Sequence, residues 1–445
     1  MASVAAAGDF AHRSGAHKWY VAAVLCAAHT IAVIDRFIMV LVTEPVRAAM
    51  QLSDTQLGLL QGTGFAILYC GFAVPLGCVA DVVNRRNLIM LGLALWSMAT
   101  VGAAFATSFE TLFAARILVG LGEACLVPAG MSLLAAYFPP AQLARGTAIF
   151  GLGANFGYGF AFLGGGAVLA GVQAAGGLAL PGLDPLVPWQ ALFFVAGVAA
   201  IPVLLLFLWM REPPRAHAVE SAWRGQLASL REGVGYLLGN MRAYAPFLVV
   251  GSCTATTGYA LTSWSASLLV RLQGFTTAEA GQLIGIIGIV AGPMGTIAGG
   301  VLLDRLRARG VPGAPLLVMA LGAVISLTTA AGLVAAPGVP LATLALVLFI
   351  FNSTLVLPSL YVGMQMLTPD RFRGVAASFN MMTYTLCGLG IGPTAVGLLS
   401  DSLSGARGLG VAVVIVEAVM AAIIIPVALR SRRAFHARMA AVDAA

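Results

Sequence analysis

Charged side chains are scarce in this sequence, since only 9% of its 445 residues are Asp, Glu, Lys or Arg, whereas 60% are hydrophobic. A soluble globular protein carries about 25% charged residues. This deficit excludes a soluble globular protein and indicates a chain that is surrounded mainly by lipid.

Lysine is almost absent, because Lys18 is the only one in the chain. A nucleotide-binding P-loop needs a lysine in the sequence Gly-Lys-Ser/Thr after a glycine-rich loop, and Lys18 lies in His-Lys-Trp instead. An ATP-driven pump is therefore excluded. The sequence also contains no histidine pattern typical of a metal site and no serine-elbow motif, so we expect no metal, no cofactor and no enzyme activity.

Basic residues outnumber acidic ones, which gives a net charge of +7. Their distribution argues against a nucleic-acid partner, because 19 of the 24 fall on one side of the predicted topology and only three on the other. This is the positive-inside bias of membrane proteins. It predicts a multi-pass membrane protein with both termini in the cytoplasm. We expect the membrane to be the bacterial inner (plasma) membrane.

Apolar runs of about 20 residues, the length that crosses a bilayer, recur along the whole chain. The twelve predicted spans are 19–42, 57–80, 88–107, 112–137, 147–170, 189–210, 244–269, 280–303, 314–336, 341–366, 375–400 and 409–430. We therefore predict an all-α membrane protein with two six-helix bundles, at 19–210 and 244–430. Cytoplasmic tails at 1–18 and 431–445 flank the bundles.

A polar linker at 211–243 joins the two predicted bundles. Apolar residues recur within it at helical spacing, which predicts an amphipathic helix along the inner membrane face. These residues are Trp223, Leu227, Leu230, Val234 and Leu237.

The two halves of the chain repeat each other. A Ser/Thr-rich start of spans 2 and 8 is followed 28 residues later by an aspartate in both cases, and the pairs are Ser53 with Asp81 and Thr276 with Asp304. An Arg-Gly pair also precedes spans 5 and 11, at Arg145 and Arg373. The two offsets, 223 and 228 residues, agree closely. A duplicated six-span unit in one orientation is the parallel-repeat plan of secondary transporters, with the substrate site between the repeats.

At these residues the chain resembles the major facilitator superfamily. That family's signature after its second helix, Gly-x-x-x-Asp-Arg-x-Gly-Arg-Arg, is matched at four positions, whereas Val82 and Asn84 depart from it. The resemblance implies pseudo-symmetric six-helix bundles and a cytoplasmic gate that locks the two halves together. The predicted gate residues are Gly77, Asp81, Arg85, Arg86, Arg145, Asp304, Arg305 and Arg373.

More narrowly, the chain resembles the Spinster branch of that superfamily, whose members move lysophospholipids and sphingosine phosphate. The resemblance rests on Asp35-Arg36 in span 1, on Ser53-Asp-Thr-Gln-Leu-Gly at the start of span 2, and on Arg116-Ile-Leu-Val-Gly-Leu-Gly-Glu123-Ala in span 4. It implies transport of an anionic amphiphile.

Four ionisable residues in spans 1 and 4 are the main candidates for a functional site: Asp35, Arg36, Arg116 and Glu123. Each costs at least about 2.5–3.5 kcal/mol at a helix centre, so each needs a partner or a wet cavity. Arg116 and Glu123 are seven residues apart and share one face of a helix. Glu417 in span 12 has no comparable neighbours, and we assign it no role.

We hypothesise a division of labour within this set. Asp35 pairs with Arg116 and fixes span 1 against span 4, whereas Glu123 exchanges a proton, because burial disfavours the charged form of a carboxylate. Arg36, together with His29, receives the anionic group of the substrate. Asp35 is a second candidate for proton coupling.

The predicted substrate site also includes Arg116 and Glu123 themselves, with hydrogen-bonding residues of other spans. These are Tyr69, Asn155, Tyr158, Asn352 and Tyr361. The expected partners are a small-molecule or lipid substrate, protons and the bilayer, and the protein is expected to be a monomer. A proton-coupled multidrug exporter and an organic-anion carrier remain alternatives. A membrane-embedded lipid enzyme is the alternative from another class.

Overall fold

The computed structural model of the protein describes residues 15–80, 82–213, 231–403, 405 and 407–443. These residues form twelve long helices, an antiparallel hairpin and short connecting turns. The long helices are α1 His17–Leu41, α2 Asp54–Ala80, α3 Arg85–Ala104, α4 Phe109–Tyr137, α5 Pro140–Ala174, α6 Pro188–Leu208, α7 Met241–Gln273, α8 Thr277–Ala308, α9 Ala314–Ala335, α10 Val339–Met366, α11 Asp370–Ser402 and α12 Gly408–Asp443. A short helix, Thr43–Met50, lies between α1 and α2.

Eleven of these twelve helices are long and apolar enough to cross a membrane. The exception is α7, which corresponds to the predicted span 244–269 and is 33 residues long but rich in serine and threonine. Four of its hydroxyl groups donate to carbonyl oxygens about one turn earlier in the same helix, as Thr254 does to Val250 at 2.8 Å. This local bonding allows a polar sequence to remain buried as a helix.

Several helices begin at a residue whose side chain accepts a hydrogen bond from a main-chain amide of the first helical turn. Ser53 at the start of α2 and Thr276 at the start of α8 both form a capping box, the first with Gln56 and the second with Glu279. A capping box satisfies two of the amides that a helix start leaves without partners. The repeat seen in the sequence therefore has the same local structure in both copies.

Three of the helices contain a π-helical segment, in which the main chain carries one extra residue per turn. The segments are Leu59–Thr63 in α2, Phe160–Gly164 in α5 and Leu386–Ile391 in α11. Such segments are frequent at functional sites.

The chain forms two compact units. The described part of unit 1 comprises residues 15–46, 64–80 and 82–213, and that of unit 2 comprises residues 47–63, 231–403, 405 and 407–443. Unit 2 therefore includes the first turns of α2, which the sequence assigned to the first bundle at 19–210.

Only part of the predicted amphipathic linker helix can be compared with the structure, because Trp223, Leu227 and Leu230 lie outside the described residues. Residues 231–239 are helical, and Leu237 is buried in the core of unit 2 beside Tyr244 and Phe247. This end of the linker packs one side on protein, and its position along the inner membrane face stays a prediction.

The segment between α5 and α6 forms a hairpin that the sequence did not predict. Its strands are Leu178–Leu180 and Leu183–Leu186, paired antiparallel. Gly182 adopts a φ of 75° in the connecting turn, a conformation that glycine adopts without steric cost.

Glycines let the helices of each unit approach closely, as is usual where van der Waals packing drives association in lipid. In unit 1, a Cβ atom at Gly157 of α5 would lie 2.5 Å from the Val33 side chain of α1. In unit 2, a Cβ atom at Gly299 of α8 would lie 2.0 Å from the Leu355 carbonyl oxygen of α10. The packing therefore depends on the absence of side chains at these positions.

We predict that Gly299→Ala lowers the stability of the protein, whereas Gly300→Ala does not. The first substitution forces α8 and α10 apart, at a cost of about 1–3 kcal/mol. The second places its methyl group where no atom lies within 4 Å, and alanine favours a helix over glycine by about 1 kcal/mol. Thermal unfolding of both variants in detergent measures the difference, and equal melting temperatures would contradict the packing described for Gly299.

Candidate functional site

The four ionisable residues singled out in the sequence come together within unit 1. Asp35 and Arg36 lie on α1, and Arg116 and Glu123 lie on α4. All four are buried or partly buried, with Asp35 at 0% and Glu123 at 2% exposure. We refer to these four residues as the charged cluster.

The strongest contact in the charged cluster joins α1 to α4. The Arg36 Nη2 atom donates to Glu123 Oε2 at 2.8 Å, and the two side chains are 16% and 1% exposed. The Arg36 guanidinium also lies over the ring of Phe65, at 4.6 Å from its centroid, and over that of Tyr69, at 5.3 Å. Arg36 therefore has an ionic partner and aromatic partners at once.

Arg116 also links α4 to α1. Its Nη1 atom donates to the main-chain carbonyl oxygen of Asp35 at 2.9 Å. A carbonyl oxygen within a helix keeps a second lone pair that can accept such a bond. The expected link between the two helices is present. Its hydrogen bond is accepted by the main chain of Asp35, and the charges of the two side chains also attract each other.

The Asp35 carboxylate is fully enclosed, and no short hydrogen bond from the described residues reaches either of its oxygen atoms, although the Thr100 hydroxyl lies nearby. The second oxygen of Glu123, Oε1, also lacks such a bond. An ionised carboxylate in such a place is costly, because its lost hydration is not replaced. These three oxygen atoms are the unsatisfied acceptors of the charged cluster.

Two glycines of α4 set how close the neighbouring helices come to the charged cluster. A Cβ atom at Gly120 would lie 2.2 Å from the Phe65 carbonyl oxygen of α2, and one at Gly122 would lie 2.8 Å from the Gly92 carbonyl oxygen of α3. The space that these glycines leave is filled by main chain. Gly120 thereby brings the Phe65 ring next to both arginines.

His29 packs between α1 and α5. Its Nδ1 atom lies 3.0 Å from the Phe150 carbonyl oxygen, and its ring stacks on the Phe150 ring at 4.6 Å. Two further candidates of α5 differ in their surroundings, because Asn155 is exposed whereas Tyr158 contacts the ring of Phe37 at 4.9 Å. The proposed role of these residues in substrate binding stays a prediction.

Unit 2 holds the remaining candidates. Asn352 is 3% exposed and donates to the Gly322 carbonyl oxygen of α9 at 2.9 Å, so it acts in helix packing. Tyr361 is 39% exposed, and its ring lies 6.3 Å from that of Tyr384, which in turn lies 5.9 Å from that of Tyr259. The three tyrosines form an aromatic group on α7, α10 and α11.

Two arginines of the predicted gate bind within unit 1. Arg85 Nε donates to Glu212 Oε1 at 2.9 Å, and the main-chain amide of Arg86 donates to Glu212 Oε2 at 3.1 Å. Arg85 also reaches Ser132 of α4. Sequence reasoning missed Glu212, because an acidic residue directly after a span looks like an ordinary linker charge.

The other predicted gate residues are distributed over both units. Asp81 lies outside the described residues. A Cβ atom at Gly77 would lie 3.4 Å from the Pro128 side chain, which is ordinary packing contact, and Arg145 is exposed. In unit 2, Arg373 binds Asp370 at 2.8 Å, whereas Asp304 and Arg305 lie near the end of α8. The role of these residues as a gate stays a prediction.

The long apolar helices and the buried ion pair define an all-α membrane transporter. The chain belongs to the Major Facilitator Superfamily, whose family model matches residues 24–393. It is a transporter and not an enzyme, as the sequence predicted.

The relatives of the chain include Spinster proteins, in agreement with the resemblance seen in the sequence. It is 29% identical to human "Protein spinster homolog 1", over 86% of this chain and 73% of that protein. It is 27% identical to an "MFS-type efflux pump" of Mycolicibacterium smegmatis, over 93% and 92% of the two chains. Among solved structures, it is similar to a bacterial homologue of the human lysosomal transporter Spinster in an inward-facing, unoccupied conformation. That similarity has a TM-score of 0.75 at 26% identity and covers 97% and 96% of the two chains.

We predict that a double-mutant cycle of Arg36→Gln and Glu123→Gln shows strong coupling in thermal unfolding. A hydrogen bond between charged groups contributes about 1.5–3 kcal/mol, and a buried charge that loses its partner costs more. The cycle of Asp35→Asn and Arg116→Gln is the matched comparison. It should show weaker coupling, because the Asp35 main-chain carbonyl remains when the carboxylate is replaced. Stronger coupling in the second cycle would contradict this assignment of the bonds.

Proposed function

We propose that this transporter is a secondary active carrier that works by alternating access and couples proton binding to the movement of an anionic amphiphile, such as a lysophospholipid or sphingosine phosphate. The observation that supports it is the buried ion pair between Arg36 and Glu123. In this pair a cation suited to an anionic head group is in direct contact with a carboxylate, and we propose that this carboxylate takes up the proton.

The coupling follows from the charge of the cluster. With both acids ionised, the charged cluster is formally neutral. A proton on Glu123 removes the ionic half of its bond to Arg36 and leaves the cluster with a net positive charge. Since an anion gains most from a cation in a place of low dielectric constant, proton uptake raises the affinity for an anionic group. Asp35 is the second proton-binding carboxylate of this proposal, because its side chain is fully buried in the same cluster.

The aromatic residues around Arg36 support an amphiphilic substrate. Phe65 and Tyr69 provide apolar ring faces beside the guanidinium, so one part of a ligand can contact a charge while the next contacts carbon. Tyr158, Asn155 and Tyr361 are further candidates for substrate contact. We assign His29 and Asn352 a supporting role, since both bond to the main chain of a neighbouring helix.

The similar solved structure is a homologue of the human lysosomal transporter Spinster, which agrees with the Spinster resemblance from which we infer this class of substrate. The similarity to an MFS-type efflux pump favours a second candidate, a proton-coupled exporter of drugs. The two candidates differ in the charge of the substrate, because Arg36 favours an anion and opposes a cation. For either one, we propose a monomer in the bacterial inner membrane with cytoplasmic termini.

We predict that Glu123→Gln abolishes the pH dependence of transport in proteoliposomes. Glutamine keeps the size of the side chain but cannot bind or release the proton, so uptake at two pH values should become equal. Glu417→Gln is the matched control, because Glu417 is also a fully buried membrane carboxylate, but on α12 of unit 2. An unchanged pH dependence in Glu123→Gln would rule out the proton role.

We predict that Arg36→Gln reduces uptake of anionic substrates at least tenfold and does not reduce uptake of cationic ones. Tenfold corresponds to about 1.4 kcal/mol of lost interaction with the anionic group. Uptake is measured for a panel of lysophospholipids, sphingosine phosphate, organic anions and cationic drugs, and product analysis confirms that each solute stays chemically intact. A preference of the unsubstituted protein for cationic drugs would overturn the role of Arg36 and favour the drug exporter.

A further inference from the structure

A cavity of about 370 Å³ lies within unit 2, beside the connection between α8 and α9. Residues of α8, α9, α10 and α12 surround it, so four helices of one unit meet at this place. The residues that matter for its chemistry are Asp304, Arg307, Pro315, Phe435, His436 and Met439. None of them belongs to the charged cluster.

Gly313 allows the connection between α8 and α9 to pack closely against α12. Its φ of 61° is one that glycine adopts without steric cost, and a Cβ atom there would lie 2.7 Å from the Arg432 Cα atom. The Arg432 Nε atom donates to the Pro312 carbonyl oxygen at 2.9 Å. Beyond this contact α12 continues as a helix to Asp443, and this extension supplies one wall of the cavity.

The inner surface of the cavity is apolar and continuous with the core of unit 2. Phe435 is 4% exposed, and its ring lies 5.8 Å from that of Phe247 in this core. Pro315 is buried, and Met366, which also lines the cavity, packs on the same core. The inner part of the cavity can therefore contact the carbon atoms of a ligand.

The outer part of the cavity carries charge. Arg307 and Asp304 are exposed, and neither side chain forms an ion pair within the part of the chain that the structure describes. His436 is partly buried beside them. The surrounding sequence is strongly basic, since residues 304–315 and 430–439 contain seven arginines and one acid. The cavity therefore offers an anion an arginine fork, whose geometry matches phosphate oxygens.

The cavity lies at the depth of the lipid head groups. The predicted spans 280–303 and 409–430 end directly before its charged residues, and His436 follows residue 430 by about 9 Å along the helix. A bilayer is about 40–45 Å thick and its hydrocarbon part about 30 Å, so each head-group layer is roughly 5–8 Å thick. A phospholipid of the adjacent leaflet can therefore place its head group at the cavity while its acyl chains stay in the bilayer.

We propose that this cavity binds the head group of an anionic phospholipid of the phosphatidylglycerol type. Basic pockets between the ends of membrane helices suit such head groups. The phosphate would accept from Arg307 and His436, and the hydroxyl groups of the head would donate to Asp304. A choline head fits less well, because it has no donor for Asp304 and adds a cation to a basic surface. The bound lipid joins the α8–α9 connection to the end of α12, and this role does not depend on the proposed transport function.

Thermal unfolding in detergent with a soluble short-chain lipid tests this site. Dihexanoyl phosphatidylglycerol should raise the melting temperature saturably and dihexanoyl phosphatidylcholine should not, because a ligand that binds only the folded state stabilises it. Arg307→Gln should raise the apparent dissociation constant at least tenfold. Arg309→Gln is the matched control, since Arg309 is an exposed arginine that does not line the cavity. Equal stabilisation by the two lipids, or equal losses in the two variants, would overturn the proposal.

Three further measurements locate the site and its ligand. Met439→Trp fills the cavity without changing its charge and should also abolish the stabilisation. Arg36→Gln should retain it, which separates this cavity from the charged cluster and from the proposed transport function. Glycerol 3-phosphate should bind at least tenfold more weakly than the lipid, because it lacks the contacts with the apolar inner surface. Retained stabilisation in Met439→Trp, its loss in Arg36→Gln, or equally tight binding of glycerol 3-phosphate would overturn the lipid site.

Discussion

The need to give each charge a partner within an apolar helix bundle determines how unit 1 is organised around its site. Arg36 is stabilised by Glu123 and by two aromatic rings, and Arg116 is stabilised by a main-chain carbonyl of α1. Both arginines therefore bind α1 to α4. A buried charge that loses its partner is far more costly than a surface charge. A change in the charge of Glu123 therefore changes the stability of Arg36 in its position on α1.

Glycine residues determine how closely the helices of this fold approach each other. Where the sequence supplies no side chain, main chains meet directly, as at Gly120 with Phe65 and at Gly299 with Leu355. These contacts fix the distances between helices, whereas the charged residues fix which faces meet. The Phe65 ring reaches the arginines because Gly120 permits α2 to approach α4.

Much of the fold could be predicted from the sequence, because a helix needs about 20 apolar residues to cross the hydrocarbon part of a bilayer. The apolar runs located the helices, and the seven-residue spacing placed Arg116 and Glu123 on one face. The choice of partner could not be predicted, since it depends on the rotation of α1 relative to α4, and a single sequence does not contain that angle. The sequence therefore paired Arg116 with Asp35, but it could not show that the hydrogen bond is accepted by the main-chain carbonyl of that residue.

The same limit applies to contacts between distant parts of the chain. Asp401 caps the start of α2 from 347 positions away, and Glu212 binds two arginines that lie 127 and 126 positions before it. Nothing in the local pattern of either residue distinguishes it from an ordinary charge at a helix end. Such residues become recognisable only when the packing of the helices is known.

The π-helical segment Leu59–Thr63 gives α2 a property that a regular helix would lack. One inserted residue turns every later side chain by about 100° relative to those before it. Gly58 and Gly62 can thus meet α11 while Phe65, a few positions on, meets α4. The π-helical segment therefore lets the two ends of α2 present their packing faces to different neighbouring helices.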